Sequence, residues 1–409
     1  MKVSVTNSQG STILYLNGYL DTSVSQQTMA DIDTRLASAG PITHLVCDAS
    51  GLTYISSSGL RILLALRKRF PSFCLKEVCS DVYQVLEMTG FTKMMPVERA
   101  LRSMSVDGCE EIGRGGVGIV YRVSDDTIIK VFREGTDIEE VRREVTMAKE
   151  AFVLGMPTAI SFDVVRVGNQ YGLVYELLRA ETLSACIASE PQHIDAFARL
   201  YADLFRQLHS ITVPSSGLIP SAMKREEESI RHISRYFDAA SVDFLLRIQS
   251  SVPQGNRLLH CDLQTKNAMM QVVSTSPLHG ESEHELMLID MGEVGYGHPL
   301  IDLGHAQSAM VGLIGDYEKM IGMPRELGAD LWQRTMRYYF DGLSEADFNH
   351  RMQQIEAISI VRNFSWLSLS DSFPENVVRQ CQEAYKERVI KRKDFLLDIS
   401  STFSDWTLS

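Results

Sequence analysis

The sequence predicts an α/β domain followed by a bilobal α+β part with a β-rich first lobe and an α-rich second lobe. Three observations predict this architecture. Strand and helix patterns alternate in residues 1–99, strand patterns dominate residues 111–178, and the chain reads mainly as helices after Ser189. We therefore divide the chain into an α/β domain at 1–99, a linker at 100–108, a β-rich lobe at 109–178 and an α-rich lobe at 179–409.

The first domain is predicted from alternating periods of hydrophobicity. Met29, Ile32 and Leu36 have helical spacing, and three serines directly precede the next helical pattern, as helix caps do. The predicted elements are a strand at Thr12–Leu20, a helix at Val24–Leu36, a strand at His44–Cys47, a helix at Leu60–Phe70, a strand at Ser72–Val78 and a helix at Asp81–Met88. This alternation predicts one mixed sheet with helices packed on it.

The second part changes its pattern along the chain. We predict strands within Glu111–Phe132, a helix at Asp137–Leu154 and further strands within Ile160–Leu178. Short apolar runs around Arg257–Asp290 predict strands inside the helical lobe, and the polar stretch Ser274–Glu285 predicts an exposed hairpin loop between them.

Composition places the chain among folded cytoplasmic proteins. Hydrophobic residues make up 44% of the chain, yet no apolar run approaches the roughly 18 residues of a membrane span. The start alternates like a strand and lacks the apolar segment of a signal peptide, so we expect a cytoplasmic protein without a membrane partner. The seven cysteines are scattered and form no C-x-x-C pair, which argues against a disulfide framework or a zinc site.

The net charge of −12 is concentrated in the second part of the chain. Residues 1–99 hold nine basic and eight acidic side chains, a net of +1, whereas residues 100–409 carry a net of −13. Such an acidic body disfavours nucleic acid as a partner and favours a cationic substrate.

A glycine-rich segment opens the second part. Gly113, Gly115, Gly118 and Val120 match the pattern G-x-G-x-x-G-x-V. Glycines let a tight turn bring backbone N–H groups close to phosphate oxygens. A purely structural hairpin explains this pattern equally well when it is considered alone.

The next strand pattern contains a lysine between apolar residues. Lys130 follows Ile129 and precedes Val131, a position in which its ammonium group needs an anion such as a phosphate. Glu144 follows on the predicted helix and is the preferred partner for Lys130. The alternative is that Glu144 is a solvated acid like the others on this helix, Glu139, Glu140 and Glu150.

Two further motifs supply the groups that phosphoryl transfer needs. Residues 260–267 match H-x-D-L-x-x-x-N, and Asp290 follows an apolar strand in a D-x-G match. Asp262 is then the candidate that accepts or orients the proton of an attacking hydroxyl, while Asn267 and Asp290 are candidate Mg²⁺ ligands. The alternative roles are a turn residue, a cap and a strand-end acid, but all three would have to coincide.

These motifs resemble the protein-kinase-like superfamily, and within it the aminoglycoside phosphotransferase and choline kinase branch. Cys261 and Gln264 replace the arginine and lysine that are usual in protein kinases, and no activation segment fits between Asp290 and Asp302. The resemblance implies ATP and Mg²⁺ as cofactors and a backbone contact of Glu176 with adenine. It implies that Asp302 supports the catalytic loop, which comprises residues 260–267, although an N-cap role is equally compatible with the sequence. We interpret His260 as structural.

Residues 1–99 resemble STAS domains, the fold of anti-sigma-factor antagonists. The resemblance rests on the segment from Asp48 to Leu60, and it implies that Ser57 is a regulatory phosphorylation site. Ser56 stands where an acid is common in that family, and a plain N-cap role for Ser57 is the alternative. Such a domain implies a protein partner and a role in bacterial signalling.

Three hypotheses for function follow. The first is an ATP- and Mg²⁺-dependent phosphotransferase that acts on a hydroxyl of a small molecule or protein, with the STAS domain for regulation or docking. The second is an interaction protein whose kinase-like part binds nucleotide without turnover. The third is a kinase that phosphorylates STAS serines. The helices after Asp302 contain no motif that names the acceptor, and we interpret their aromatic residues as core.

Overall fold

The computed structural model describes residues 1–8, 10–214, 217–275, 282–369 and 373–406. The chain divides into two compact units, residues 1–104 and 105–409. Each unit has its own hydrophobic core.

The first unit is built on one mixed sheet. Its elements are β1 (Lys2–Ser8), β2 (Ser11–Leu20), α1 (Ser25–Ser38), β3 (Leu45–Ile55), α2 (Ser57–Arg69), β4 (Phe73–Val78), α3 (Ser80–Met88), α4 (Phe91–Met94), β5 (Val97–Arg99) and β6 (Arg102–Ser103). The strands β1 to β5 are neighbours in chain order; β1 and β2 are antiparallel, and the other pairs are parallel. The predicted α/β class is confirmed.

The strand β3 is longer than the sequence pattern predicts. It continues beyond Cys47 to Ile55, because Ala49, Leu52 and Ile55 still point into the core while polar residues between them face outward. A Cβ at Gly51 would meet the Asn17 side chain at 1.5 Å, so glycine permits the close approach of β2 here. The polar residues in this half of the strand resemble a turn in the sequence, and for this reason the predicted strand ended at Cys47.

The helix α2 begins at Ser57 rather than at Leu60. Ser56 is its N-cap, and the Ser56 hydroxyl accepts a hydrogen bond from the Gly59 N–H group at 3.4 Å. Ser57 is the first helical residue and is exposed. The alternative N-cap role for Ser57 is therefore wrong, because the preceding serine fills it.

The β-rich lobe of the second unit contains β7 (Glu110–Arg114), β8 (Gly118–Arg122), β9 (Thr127–Phe132), α5 (Ile138–Val153), β10 (Ser161–Val167) and β11 (Gln170–Glu176). The strands β10, β11, β9, β8 and β7 are neighbours in this order in an antiparallel sheet. The helix α5 packs against β10 and β11, and it places Glu144 against Lys130 of β9.

The α-rich lobe begins with β12 (Ala180–Thr182), α6 (Leu183–Ser189), α7 (Ile194–Ser210), α8 (Ala222–His232) and α9 (Ala239–Ser250). Four short strands follow: β13 (Arg257–Leu259), β14 (Ala268–Thr275), β15 (Ser282–Leu288) and β16 (Gly295–Gly297). The lobe ends with α10 (Pro299–Met310), α11 (Tyr317–Ile321), α12 (Arg325–Tyr339), α13 (Glu345–Ser365), α14 (Glu375–Arg388) and α15 (Lys393–Ser400). The β-rich lobe followed by this helical lobe confirms the predicted bilobal class.

The helix α10 is the buried axis of this lobe. Nearly all its residues are buried, and it packs closely along α13. A Cβ at Gly304 would meet Ile358 Cγ2 at 2.4 Å, so glycine sets how closely the two helices approach. This packing fixes the side chains that α10 and α13 present to the neighbouring loops.

The strands β14 and β15 form the hairpin that the sequence predicts inside the helical lobe. The loop predicted at Ser274–Glu285 is shorter than expected, because Ser274 pairs with Glu283 and Thr275 with Ser282. Residues 276–281 of that prediction lie outside the described residues.

Five of the seven cysteines are buried, and Cys79 and Cys109 are half-buried. In the described part of the chain, no helix combines the length and apolar character that a membrane span requires.

Candidate active site

The predicted glycine loop is the turn between β7 and β8. The Gly115 N–H group donates to the Gly118 carbonyl oxygen at 2.9 Å, and Gly113 lies opposite Val120 across the hairpin. A Cβ at Gly118 would meet the Val131 carbonyl oxygen at 2.2 Å, whereas a Cβ at Gly115 would meet no atom within 4 Å. Glycine is thus needed at 118 for strand packing, and at 115 it leaves open space at the turn.

Lys130 joins the two lobes of the second unit through its ammonium group. Its Nζ atom lies 2.8 Å from Glu144 Oε1 and 3.0 Å from Asp290 Oδ1, and the side chain is 13% exposed. Burial alone would lower the pKa of Lys130, but the charges of Asp290 and Glu144 outweigh burial and raise that pKa above its ordinary value. The ammonium group therefore stays charged between two carboxylates.

Glu144 is the acid on α5 that contacts Lys130. It is buried, whereas Glu139 on the same helix pairs with Arg142 at 2.7 Å. Tyr175 on β11 donates a hydrogen bond to the same Glu144 oxygen at 2.9 Å. Glu176, the next residue, accepts a hydrogen bond from the Ile160 N–H group at 3.2 Å through its side chain.

Asp262 and Asn267 form the second half of the site. The Asn267 Nδ2 group donates to Asp262 Oδ2 and to the Asp262 carbonyl oxygen, both at 2.8 Å. Burial and the charge of Asp290 raise the pKa of the Asp262 carboxyl to about 7. Asp262 thus lies in an environment that favours proton uptake near neutral pH.

The donor set formed by Asn267 and Asp290 suits a magnesium ion. Because Asn267 Nδ2 faces two acceptors, the amide orientation is fixed and Oδ1 is turned away from Asp262. Asp290 adds a carboxylate that is 43% exposed. Among the described residues, no group of three or more His, Cys, Asp or Glu side chains could hold a metal ion. One carboxylate and one amide oxygen fit Mg²⁺, which takes its other ligands from phosphates and water.

Asp302 holds the backbone before Asp262. Its carboxylate accepts hydrogen bonds from the N–H groups of Cys261 at 2.7 Å and His260 at 3.3 Å. The N-cap of α10 is His298, so the alternative N-cap role for Asp302 is wrong. His209 Nε2 lies 3.2 Å from Asp302, and its Nδ1 lies 2.8 Å from the Tyr339 hydroxyl.

His260 is buried and takes part in two backbone contacts. Its Nδ1 accepts from the Asp262 N–H group at 3.3 Å, and its Nε2 donates to the Ile289 carbonyl oxygen at 3.1 Å. Burial lowers the pKa of His260, although neighbouring acids oppose the shift. A neutral ring that links two loops by hydrogen bonds agrees with the structural interpretation of this residue.

The structure brings together Lys130, Glu144, Asp262, Asn267 and Asp290, whereas Ser57 belongs to the first unit. The Ser57 hydroxyl makes no hydrogen bond to any residue that the structure describes. Sequence reasoning missed Tyr175 as a partner of Glu144, and the only available signal was its position one residue before Glu176.

Solved structures of aminoglycoside phosphotransferases are similar to this chain at low identity. An ADP-bound aminoglycoside phosphotransferase, APH(2'')-Ib, is 13% identical, with a TM-score of 0.44 over 79% of this chain and 98% of that chain. An aminoglycoside phosphotransferase from Streptomyces rimosus, APH(3'')-Id, is 16% identical, with a TM-score of 0.39 over 62% of this chain and 93% of that chain. No curated protein matches the chain significantly.

Two families match the chain in succession. Residues 2–104 match the STAS domain. Residues 109–342, more than half of the chain, match the phosphotransferase enzyme family. This range includes Lys130, Glu144, Asp262, Asn267 and Asp290. The chain therefore belongs to the phosphotransferase enzyme family and carries a STAS domain ahead of its phosphotransferase domain.

Proposed function

We propose that the chain transfers the γ-phosphoryl group of ATP to a hydroxyl of an acceptor and requires Mg²⁺. The observation that carries the proposal is the contact of Lys130 Nζ with both Glu144 and Asp290. This contact joins Lys130 of the β-rich lobe to Asp290 of the α-rich lobe, an arrangement that phosphoryl transfer requires.

The β-rich lobe binds the nucleotide in this proposal. The Gly115 N–H group donates to Gly118, so the N–H groups that face the phosphates are those of Gly116 and Val117 in the same turn. Lys130 supplies the positive charge that Glu144 orients. The side chain and the N–H group of Glu176 both contact the backbone of Ile160, which leaves the Glu176 carbonyl oxygen for the proposed backbone contact with adenine.

The α-rich lobe performs the transfer. Asp262 orients the acceptor hydroxyl and accepts its proton, and Asn267 holds the Asp262 carboxylate in position. Asn267 Oδ1 and Asp290 would hold Mg²⁺, which when bound neutralises charge on the phosphates. The net charge of −13 in residues 100–409 favours acceptors that carry positive charge.

The test is transfer of label from [γ-³²P]ATP with MgCl₂ to a panel of alcohols, sugars and amino alcohols. Asp262→Asn keeps the size of the side chain but removes its ability to accept the proton, so transfer should fall about 100-fold while ATP still binds. Asp238→Asn, at the exposed N-cap of α9, is the matched control and should act like the wild type. Equal transfer by the two variants would show that Asp262 has no role in the reaction.

A second acceptor is Ser57 of the STAS domain. It is exposed at the first position of α2, where the free N–H groups of a helix end can hold a phosphate. Under this proposal ATP and Mg²⁺ label Ser57, and the label is lost in both Ser57→Ala and Asp262→Asn. Label on another residue, or label that persists in Asp262→Asn, would contradict it and leave the STAS domain as a docking or regulatory module for a protein partner.

A further inference from the structure

A buried polar cluster lies among α8, α10 and α13, outside the residues assigned above. Glu226, on α8, is 3% exposed. It accepts a hydrogen bond from Ser365, and its Oε2 atom lies 3.4 Å from Arg362 Nη1 and 3.4 Å from His305 Nε2. We call these four residues the Glu226 cluster. Burial opposes the charge of Glu226, but His305 and Arg362 keep its pKa below the usual range.

The Glu226 cluster reaches the catalytic loop through His305. Its Nδ1 lies 3.0 Å from the carbonyl oxygen of Cys261, the residue immediately before Asp262. A carbonyl oxygen can only accept, so Nδ1 carries the proton and donates it. No other described residue donates to this carbonyl group. The other ring nitrogen, Nε2, lies at ion-pair distance from the Glu226 carboxylate.

The backbone at Cys261 needs such support. Its φ angle is +64°, in the left-handed region that a residue with a Cβ atom rarely adopts. Asp302 holds the Cys261 N–H group at 2.7 Å, and His305 holds the carbonyl oxygen. Asp302 and His305 are three positions apart on α10 and therefore share one helix face. Both polar groups of this strained residue are thus held by the same helix.

We propose that His305 is a positioning residue for phosphoryl transfer, and that Glu226, which is itself paired with Arg362, holds its ring against the catalytic loop. The proposal rests on the phosphotransferase function above. The Cys261 carbonyl group belongs to the peptide unit that joins Cys261 to Asp262, so the hydrogen bond from His305 fixes the plane from which the Asp262 side chain extends. Loss of this bond changes the direction in which the Asp262 carboxylate points, but it leaves Lys130 and its partners in place.

Two replacements of His305 separate the bond from the bulk of the ring. His305→Asn places an amide nitrogen near the position of Nδ1 and keeps the donor to Cys261. His305→Gln places its amide near Nε2, so the variant stays polar and similar in size but loses that donor.

The primary measurement is steady-state turnover of Mg·ATP with water as acceptor. We expect kcat to fall about 10-fold or more in His305→Gln and to stay within about threefold of wild type in His305→Asn, with the KM for ATP nearly unchanged in both. Equal kcat values in the two variants would overturn the proposal.

Amide hydrogen exchange provides a second measurement that does not depend on turnover. Peptides covering residues 258–264 should exchange faster in His305→Gln than in wild type, whereas His305→Asn should keep wild-type protection. Unchanged exchange in His305→Gln would overturn the proposal even if the enzyme were slow. A wild-type chain that neither binds nor turns over ATP would instead contradict the proposed function, and the exchange data would still decide whether His305 holds the loop.

Discussion

Tyr175 donates a hydrogen bond to Glu144 Oε1 at 2.9 Å, although the two residues lie 31 positions apart on a strand and a helix. The same oxygen contacts Lys130 at 2.8 Å, so the tyrosine and the lysine hold one carboxylate atom from two sides. Burial and the charge of Glu144 keep the pKa of Tyr175 well above its ordinary value, so it remains a donor at every physiological pH.

Tyr175→Phe should weaken the use of ATP without changing the fold. The variant removes one hydrogen bond to a charged carboxylate, worth about 1.5 kcal/mol, so kcat/KM for ATP should fall about 10-fold. Tyr171→Phe, on the same strand, is the control and should leave kcat/KM unchanged. Matching kinetics for the two variants would show that Tyr175 does not help to orient Glu144.

Lys130→Met should have the larger effect on the same reaction. Methionine preserves the stem of the side chain but removes the positive charge that contacts both Glu144 and Asp290. We expect transfer to fall about 100-fold or more, the scale seen when one preorganised cationic or donor group is lost. Wild-type rates in this variant would place Lys130 outside the reaction.

Asp290→Asn should raise the magnesium requirement. The change removes a charged oxygen ligand from a hard cation and leaves the neutral amide oxygen of Asn267. In a titration of activity against MgCl₂ at saturating ATP, the midpoint should shift to at least about 10-fold higher concentration. The control Asp238→Asn should keep the wild-type midpoint, and an unshifted curve for Asp290→Asn would exclude it as a ligand.

Gly118→Ala and Gly115→Ala should fail in different ways. The first places a Cβ 2.2 Å from the Val131 carbonyl oxygen, so β8 and β9 must separate and the β-rich lobe should lose stability. In the second, the new Cβ meets no atom of the protein within 4 Å, so the fold should be kept. The Cβ would instead stand at the turn that the phosphates approach, so ATP should bind more weakly. Thermal unfolding and ATP titration of each variant check these outcomes; a stable Gly118→Ala protein would contradict the strand-packing argument.

His298 should make the second unit less stable in acid. Burial is the main cause that lowers its pKa to about 4, and its Nδ1 accepts from the Leu300 N–H group at 3.2 Å, which requires an unprotonated ring. In the unfolded chain His298 takes up a proton near pH 6.5. The stability that neutral His298 contributes to the folded state is therefore complete above that pH and is lost as the pH falls from about 6.5 to 4. The loss at pH 4 amounts to about 3 kcal/mol.

His298→Asn keeps an acceptor for Leu300 but cannot titrate, so its stability should depend less on pH. All three tryptophans lie in the second unit, at 332, 366 and 406, so denaturant unfolding followed by their fluorescence reports on that unit. Parallel pH profiles for wild type and variant would show that His298 is not the titrating group.

The sequence predicted the parts of the site that are encoded in contiguous motifs. The glycine turn, Asp262 with Asn267, and Asp290 each lie in one short segment whose spacing reflects a local backbone geometry. Tyr175 and His305 could not be found in this way. Each acts on a residue brought to it by tertiary packing, and neither has a fixed spacing from its partner.

Local polarity also led to errors in the predicted element boundaries. The outward-facing polar residues of β3 resemble a turn because a strand with one exposed face and a loop share those residue types. The N-cap of α2 could not be assigned among three consecutive serines, since each can accept the same hydrogen bond, and only the backbone angles select Ser56.

The accessibility of the cysteines has a practical consequence for experiments on the two units. Cys79 lies in the first unit and Cys109 in the second, and the other five thiols are buried. Thiol-reactive dyes should therefore attach at these two positions in the unmodified chain. With a donor and an acceptor fluorophore at these positions, energy transfer would test whether nucleotide changes the distance between the STAS domain and the phosphotransferase domain.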